Sequence, residues 1–308
     1  MVNSPLRYPG GKSIMTDFLN SFINENDMKS VIYAEPYAGG VGAGINLLLD
    51  NKIKRLFIND ANIAVYAFWH SLINHPDRFL ELFEQTPITL NEWHSQKSIF
   101  SNFVNSSEEQ DLLPLGFATF FLNRSNRSGI LKAGAIGGNS SQSQALATYK
   151  IDARFKKELL RNKLLRIIEK RKYIEVFNYD ALYFLKYVVK TKTSKYQSRI
   201  LVYMDPPYFC KGSGLYLDYY TSNDHINLAN YLNKDTHFKW ILSYDNDDFI
   251  KKLYSNFSQY SFDLNYRVEK RKVGSELLLH SKNSILPPSM KIQKKYRRRK
   301  EIALRYVG

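Results

Sequence analysis

Apolar residues fall along this chain in two rhythms. Short, nearly unbroken apolar runs bounded by turn residues recur at Ser30 to Glu35, Arg55 to Ile58, Tyr173 to Phe177, Leu201 to Met204 and Phe238 to Tyr244. Runs of that length and continuity predict strands buried on both faces, as in a parallel sheet. Between them apolar positions return every three or four residues, at Ile14 to Phe22, Ile45 to Leu49, Ala181 to Val189, Asp224 to Leu232 and Asp247 to Tyr254, which predicts helices. Two last strands are predicted at Gln259 to Arg267 and Val273 to Leu279, bringing the sheet to seven. Strands alternating with helices predict an α/β fold.

One block departs from the alternation. From Ala61 to about Phe121 the pattern is helical, broken at His75-Pro76, Thr86-Pro87 and Leu113-Pro114, with Trp69, Phe79, Phe83, Trp93 and Phe117 as predicted core. It reads as a helical subdomain, residues 61–149, inserted in an α/β domain made of 1–60 and 150–281. The insert closes with Phe121 to Lys132 and a Gly/Ser/Gln/Asn-rich segment, Ala133 to Ser143, too long for a plain connection and too polar for a core. With arginines on one flank and amides along it, a hairpin over 123–149 that reads base edges fits this composition. Lys150 to Lys172 reads as a strongly basic helix.

Charge sharpens the choice of partner. The chain of 308 residues carries 44 Lys and Arg against 29 Asp and Glu, a net +15. Residues 282–308 hold nine bases and one acid, residues 151–172 nine and three, and Tyr183 to Arg199 five and none. Such blocks are the electrostatic footprint of a polyanion, although a solvated basic surface would look the same locally. The tail 282–308 reads as a separate basic patch beyond the last strand. No apolar run approaches the roughly 18 residues a membrane span needs. Cys210 is the sole cysteine, so an internal disulfide framework is excluded and a cytoplasmic setting is expected. Cys210 itself is expected to be an ordinary packing residue, and no His/Cys/Asp cluster has metal-ligand spacing.

Chemistry gathers where strands end. Leu201 to Met204 runs into Asp205-Pro206-Pro207-Tyr208. Two prolines have no N–H and cannot continue a strand, so the chain is locked in an extended turn at the carboxyl end, where open α/β sheets bind ligands. A planar amine could donate to the Asp205 carboxylate and the Pro206 carbonyl while Tyr208 stacks on its ring; a plain proline-rich turn is the bland alternative. Ser30 to Glu35 runs into Pro36-Tyr37-Ala38-Gly39-Gly40, a glycine-rich turn before a helix that lets backbone approach a ligand. Glu35 suits an ammonium group. Asp60, after the second strand, is placed for ribose hydroxyls or for capping the next helix, and Asp180 ends a third strand. Pro9-Gly10-Gly11-Lys12 sets N–H groups and a lysine near a helix start without the glycine spacing of a P-loop.

Arg-Tyr-Pro-Gly-Gly-Lys at 7–12, Glu-Pro-Tyr-Ala-Gly-Gly at 35–40, Asn59-Asp60 and Asp-Pro-Pro-Tyr at 205–208, in this order, resemble the Dam-type DNA adenine-N6 methyltransferases over about residues 5–281. The resemblance implies a Rossmann-like seven-stranded methyltransferase sheet with an inserted target-recognition subdomain. It implies S-adenosyl-L-methionine as cofactor, held by Tyr8, Lys12, Glu35 to Gly40, Asp60, Asp180 and Asp205, with Asp205 to Tyr208 catalytic. Double-stranded DNA is the implied partner, met by Asn123, Arg124, Arg127, Ser128 and Lys132. Many members carry an aromatic and an asparagine before the hairpin glycine; Arg127 and Ser128 stand here. A cognate restriction endonuclease is a candidate partner, and the oligomeric state is left open. A cytosine-N4 or RNA amine methyltransferase is the alternative, though cytosine-N4 enzymes usually carry Ser where Asp205 stands. A DNA-binding homologue without catalysis is the other.

Overall fold

The computed structural model describes residues 3–7, 11–104, 111–193, 199–209, 220–234, 236–268, 270–288, 290–293, 299–302 and 304–307. Its strands are β1 (Ile32–Glu35), β2 (Arg55–Asn59), β3 (Ile174–Phe177), β4 (Ile200–Met204), β5 (Lys239–Asp245), β6 (Gln259–Val268), β7 (Lys270–His280), β8 (Met290–Gln293), β9 (Arg299–Ile302) and β10 (Arg305–Tyr306). The main sheet runs β10-β6-β7-β5-β4-β1-β2-β3, and β8 pairs with β9 separately. From β5 to β3 all pairings are parallel; β7, β6 and β10 are antiparallel additions. The seven expected strands are all present, but the sheet has eight. The basic tail supplies the extra one: Arg305 pairs with Ser261 and Tyr306 with Tyr260, so the tail is partly built into the sheet instead of standing apart from it.

The sequence order explains the site's position. β1 lies between β4 and β2, and the strand order switches side there, running to β2 and β3 on one side and to β4 and β5 on the other. That switch opens a crevice at the carboxyl ends of the strands. β1 and β4 are buried at every residue, which is why both read as unbroken apolar runs.

The helices are α1 (Thr16–Glu25), α2 (Gly42–Leu49), α3 (Ile63–Asn74), α4 (Pro76–Gln85), α5 (Leu90–Val104), α6 (Leu112–Ser125), α7 (Ser141–Leu146), α8 (Lys157–Glu169), α9 (Ala181–Tyr183), α10 (Lys190–Thr193), α11 (Ser222–Leu232) and α12 (Asp248–Leu253), with a π-helical stretch at Phe184–Val189. Among the described residues no helix is long and apolar enough to cross a membrane. Trp69, Phe79, Phe83, Trp93 and Phe117 are all buried, as their spacing predicts. They belong to a core shared by α3 to α6, by α1 and α2, and by Tyr33, Leu56 and Ile58 on one sheet face. Gly116 sits where α6 meets α3: a Cβ there would lie 2.4 Å from the Ala67 carbonyl oxygen, so only glycine allows this approach.

The long basic helix expected over Lys150 to Lys172 is shorter. Its start is a 3-10 turn at Ile151–Arg154, and α8 begins only at Lys157. Phe155 is the reason. It leaves the helical path to pack against Phe83, Phe120 and Phe121, a burial worth about 1.5–3 kcal/mol that outweighs local helix preference.

The expected hairpin over 123–149 is a closed loop joined by a single β-bridge, Asn126 to Ala135, followed by α7. Asn126 is its pin. Its side chain accepts from Trp93 Nε1 (2.6 Å) and donates to the carbonyls of Ile130 (2.9 Å) and Leu131 (3.0 Å).

Candidate active site

Four strand tips meet at the crevice. Behind β1 the glycine turn is held by its carbonyls: Asn59 Nδ2 donates to Pro36 O (2.9 Å), Trp69 Nε1 to Gly39 O (2.9 Å) and Ser4 Oγ to Gly40 O (2.6 Å). Gly39 has φ 47° and Val41 φ 45°, left-handed backbone that glycine adopts without strain and valine does not. A Cβ on Gly42 would lie 2.0 Å from Ser13 Oγ, so the turn also needs glycine for close packing against the opening segment.

Glu35 is buried at the β1 tip. Tyr33 OH (2.9 Å) and Gly44 N (3.2 Å) both donate to its Oε1. Burial, opposed by those hydrogen bonds and reinforced by the nearby charge of Asp205, pushes its carboxyl up to about 8. Asp60 accepts from Gly39 N (2.8 Å) and Asn62 N (2.9 Å), tying the β2 tip to the glycine turn. The helix-capping role that Asp60 could have taken belongs to Asn62, which accepts from Ala64 N and Val65 N. Asp180 does cap a helix, accepting from Leu182 N (2.9 Å) and Tyr183 N (3.1 Å). Tyr37 shares a 2.6 Å hydrogen bond with Tyr220.

Asp205 stands at the β4 tip, beside Glu35. Its Oδ1 accepts from Ser243 Oγ (2.8 Å), which Tyr203 OH contacts in turn (2.9 Å), and pairs with Lys12 Nζ (3.0 Å). Among the described residues both donors converge on that one oxygen, which leaves Oδ2 to accept from a ligand. Lys12, expected on the cofactor, is drawn into this cluster: besides Asp205 it reaches Glu276 Oε1 (3.0 Å) and Tyr208 OH (2.9 Å). Burial alone would lower its pKa, but Asp205 and Glu276 together hold it well above the ordinary lysine value. The Tyr208 hydroxyl donates to Glu276 Oε1, and burial followed by the charge of Asp205 raises its pKa strongly. Pro206 is buried and Pro207 half-buried.

The five residues expected at DNA separate into two groups. Asn123 is buried: it accepts from Arg7 N (2.7 Å) and donates to Arg7 O (2.8 Å) and Gly129 O (2.9 Å). Arg124 lies along the same seam, donating to Arg154 O (2.6 Å) and Pro5 O (3.3 Å), and burial with Arg7 and Arg154 nearby lowers its pKa to about 10. Arg127, Ser128 and Lys132 are exposed at the loop's outer turn, Ser128 with φ 55°. Tyr8 and Cys210 lie outside the described residues.

Glu276 and Ser243 are the site residues that motif reading passed over; Asn59 stood in the Asn59-Asp60 motif without a role of its own. Only Glu276 left a signal, as an acid inside the otherwise apolar end of the predicted strand Val273 to Leu279.

The arrangement is a cradle of acids at neighbouring strand tips, able to hold a cationic ligand on β1 and β2 and an amine on β4. A family model described as "D12 class N6 adenine-specific DNA methyltransferase" matches residues 8–268. No curated protein matches the chain significantly.

Proposed function

The chain belongs to the D12 class N6 adenine-specific DNA methyltransferases, and on that premise we propose how its strand tips divide the work. The reaction transfers a methyl group from S-adenosyl-L-methionine to the N6 amine of adenine in DNA. S-adenosyl-L-methionine, when bound, supplies an electrophilic methyl on a sulfonium. The acids fit so cationic a ligand: Glu35 offers its second oxygen to an ammonium group, Asp60 stands at the β2 tip on the ribose side, bonded to Gly39 N of the turn, and Pro36 to Gly40 line the turn between them. Asp180 flanks the same crevice from the β3 side.

Adenine stacked in duplex DNA cannot reach the β4 tip, so it is flipped out, at a cost of a few kcal/mol. Its amine is a poor nucleophile because the lone pair is delocalised into the ring. Accepting hydrogen bonds at Asp205 Oδ2 and the Pro206 carbonyl favour a pyramidal nitrogen, and Asp205 Oδ2 is the nearest acceptor for the proton that leaves it. Pro207 stiffens the turn and Tyr208 stacks on the ring. Positioning and electrostatics carry the rate, with no covalent enzyme intermediate. The observation that carries this reading is the convergence of Lys12 and Ser243 on one oxygen of Asp205, which keeps the other for the amine.

The direct test incubates the protein with labelled S-adenosyl-L-methionine and duplex DNA of mixed sequence, then maps modified bases. N6-methyladenine at a defined sequence is expected; none on any duplex would sink the assignment.

Cofactor affinity should depend on pH through Glu35. An ammonium ligand needs the ionised carboxylate, and with a pKa near 8 ionisation costs most of that affinity below neutrality. Affinity is expected to rise roughly tenfold per unit toward pH 8 and level off above it, with Glu35→Gln weak and flat; calorimetry across pH checks this, and a flat wild-type profile would refute it. Glu35 also makes the empty fold more stable in acid. Its raised folded pKa means the native state binds the extra proton, so that stability is full below about 4.3, the unfolded value, and is lost as pH rises toward about 8.

Arg127 and Lys132 are assigned to DNA phosphates, Arg124 and Asn123 to the scaffold. Arg127→Ala and Lys132→Ala should each lower the slope of log affinity against log salt by about one, with stability unchanged. Arg124→Ala should lower stability by about 1–3 kcal/mol, since the half-buried guanidinium holds the carbonyls of Arg154 and Pro5. Salt titrations and urea melts of the three variants separate the roles; an unchanged slope for both loop variants would remove the loop from the interface.

A further inference from the structure

Glu276 lies on β7, two strands from Asp205, and its side chain is 2% exposed. Its Oε1 accepts from Lys12 Nζ and Tyr208 OH, while among the described residues its buried Oε2 has no partner. A counter-ion role does not account for it. Lys12 already has a carboxylate at 3.0 Å in Asp205, and one acid would satisfy one ammonium. The second carboxylate leaves the buried cluster with one surplus negative charge and a sealed, unpaired oxygen, both of which weaken the fold. A feature kept against stability calls for a use.

The use follows from the charge that develops at the amine. As the N–C bond forms and the C–S bond breaks, the nitrogen donates its lone pair and turns positive until a proton leaves. If Lys12 faced Asp205 alone, the pair would be neutral where that positive charge appears. We propose that Glu276 is a positioning residue of the amine pocket, sharing the Lys12 ammonium with Asp205 at 3.0 Å from each and fixing the Tyr208 hydroxyl, so that one negative charge stays available to the methylated nitrogen. The inference rests on Asp205 to Tyr208 holding the amine, as argued above. Glu276 touches neither base nor cofactor in this scheme; it acts through Lys12 and Tyr208. The groups that face it are Lys12 from the opening turn, Tyr203, Asp205 and Tyr208 from β4 and its tip, and Asp245, its register partner on β5. Burial, with Asp205 adding to it and Lys12 opposing, raises the Glu276 pKa, so its ionised form is lost at a pH where an ordinary glutamate is still charged.

The test is kcat against pH for the wild type and Glu276→Gln, on duplex DNA at saturating S-adenosyl-L-methionine so that Glu35, which acts on cofactor affinity, drops out. The wild type should show an acid limb above the ordinary glutamate value of about 4.3. The Gln variant should lose kcat by about a hundredfold, keep KM for DNA and cofactor within about threefold, and lack the limb. Should the Gln variant not fold, judged by its cofactor thermal shift, Lys12→Met with Glu276→Gln leaves no unpaired charge from that pair and should lack the limb too. A limb that persists in either variant, or a Gln variant with kcat within twofold of wild type, overturns the inference while leaving the site assignment standing. A wild type inactive on every duplex overturns both.

Discussion

Asp205→Ala is expected to slow methyl transfer by about two to three orders of magnitude, with DNA affinity near that of the wild type. Among the described residues the carboxylate is the only acid at the β4 tip, and its Oδ1 is already held by Ser243 and Lys12. Alanine therefore removes the acceptor for the amine while leaving the exposed loop and basic surface untouched. It also leaves the ammonium of Lys12 to Glu276 alone, so the buried pair survives and the fold should hold. Single-turnover methylation and fluorescence anisotropy on the same duplex separate the two quantities. A rate within tenfold of wild type would refute the role given to Asp205, and a matching loss of DNA affinity would show that the residue acts in binding instead.

Phe120→Ala is expected to cost about 3–5 kcal/mol of stability. Phe120 is fully buried on α6 at the centre of a ring cluster, 5.8 Å from Phe68 and Phe79, 5.9 Å from Phe83, and 5.6 Å from Phe155. Truncation leaves a cavity that the neighbouring rings cannot close, since each is also held by others. The same helix carries Asn123 and Arg124, which tie it to the opening segment, so DNA affinity should fall with stability when the variant is assayed near its melting point. Urea unfolding measures the first effect, and a loss under about 1 kcal/mol would mean that the cluster repacks.

Much of this was legible in the sequence for a physical reason. Strands buried on both faces are apolar nearly throughout, so β1, β2, β4 and β5 announce themselves, and Asp-Pro-Pro-Tyr marks a strand end because proline cannot extend a ladder. Legibility failed where a distant contact decides. Phe155 is no helix breaker, and it is the distant rings of α4 and α6 that hold it off the helical path. Asn123 carries an amide suited to a base edge, yet it is spent on both main-chain groups of Arg7. Glu276 is the instructive miss. On an antiparallel strand an acid ordinarily faces water; the apolar residues after Glu276 mark it as unusual, but nothing local points to the lysine 264 residues earlier that it meets. Lys12 was expected at the cofactor because it matches the lysine of the family's opening motif, and in the structure it stands at the tip of β4 beside Asp205.

The short strand β10 bears on how the molecule behaves in a crowd of its own copies. β6 and β7 form a long two-stranded ribbon, and a strand of ten residues at a sheet's margin offers main-chain donors and acceptors to any passing chain. Arg305 and Tyr306 occupy the start of that margin, and Val307 N donates to Gln259 O just beyond them (2.9 Å). Removing residues 304–308 would strip that cover and invite strand-to-strand stacking between molecules, a route to fibrous precipitate that leaves the crevice chemistry intact.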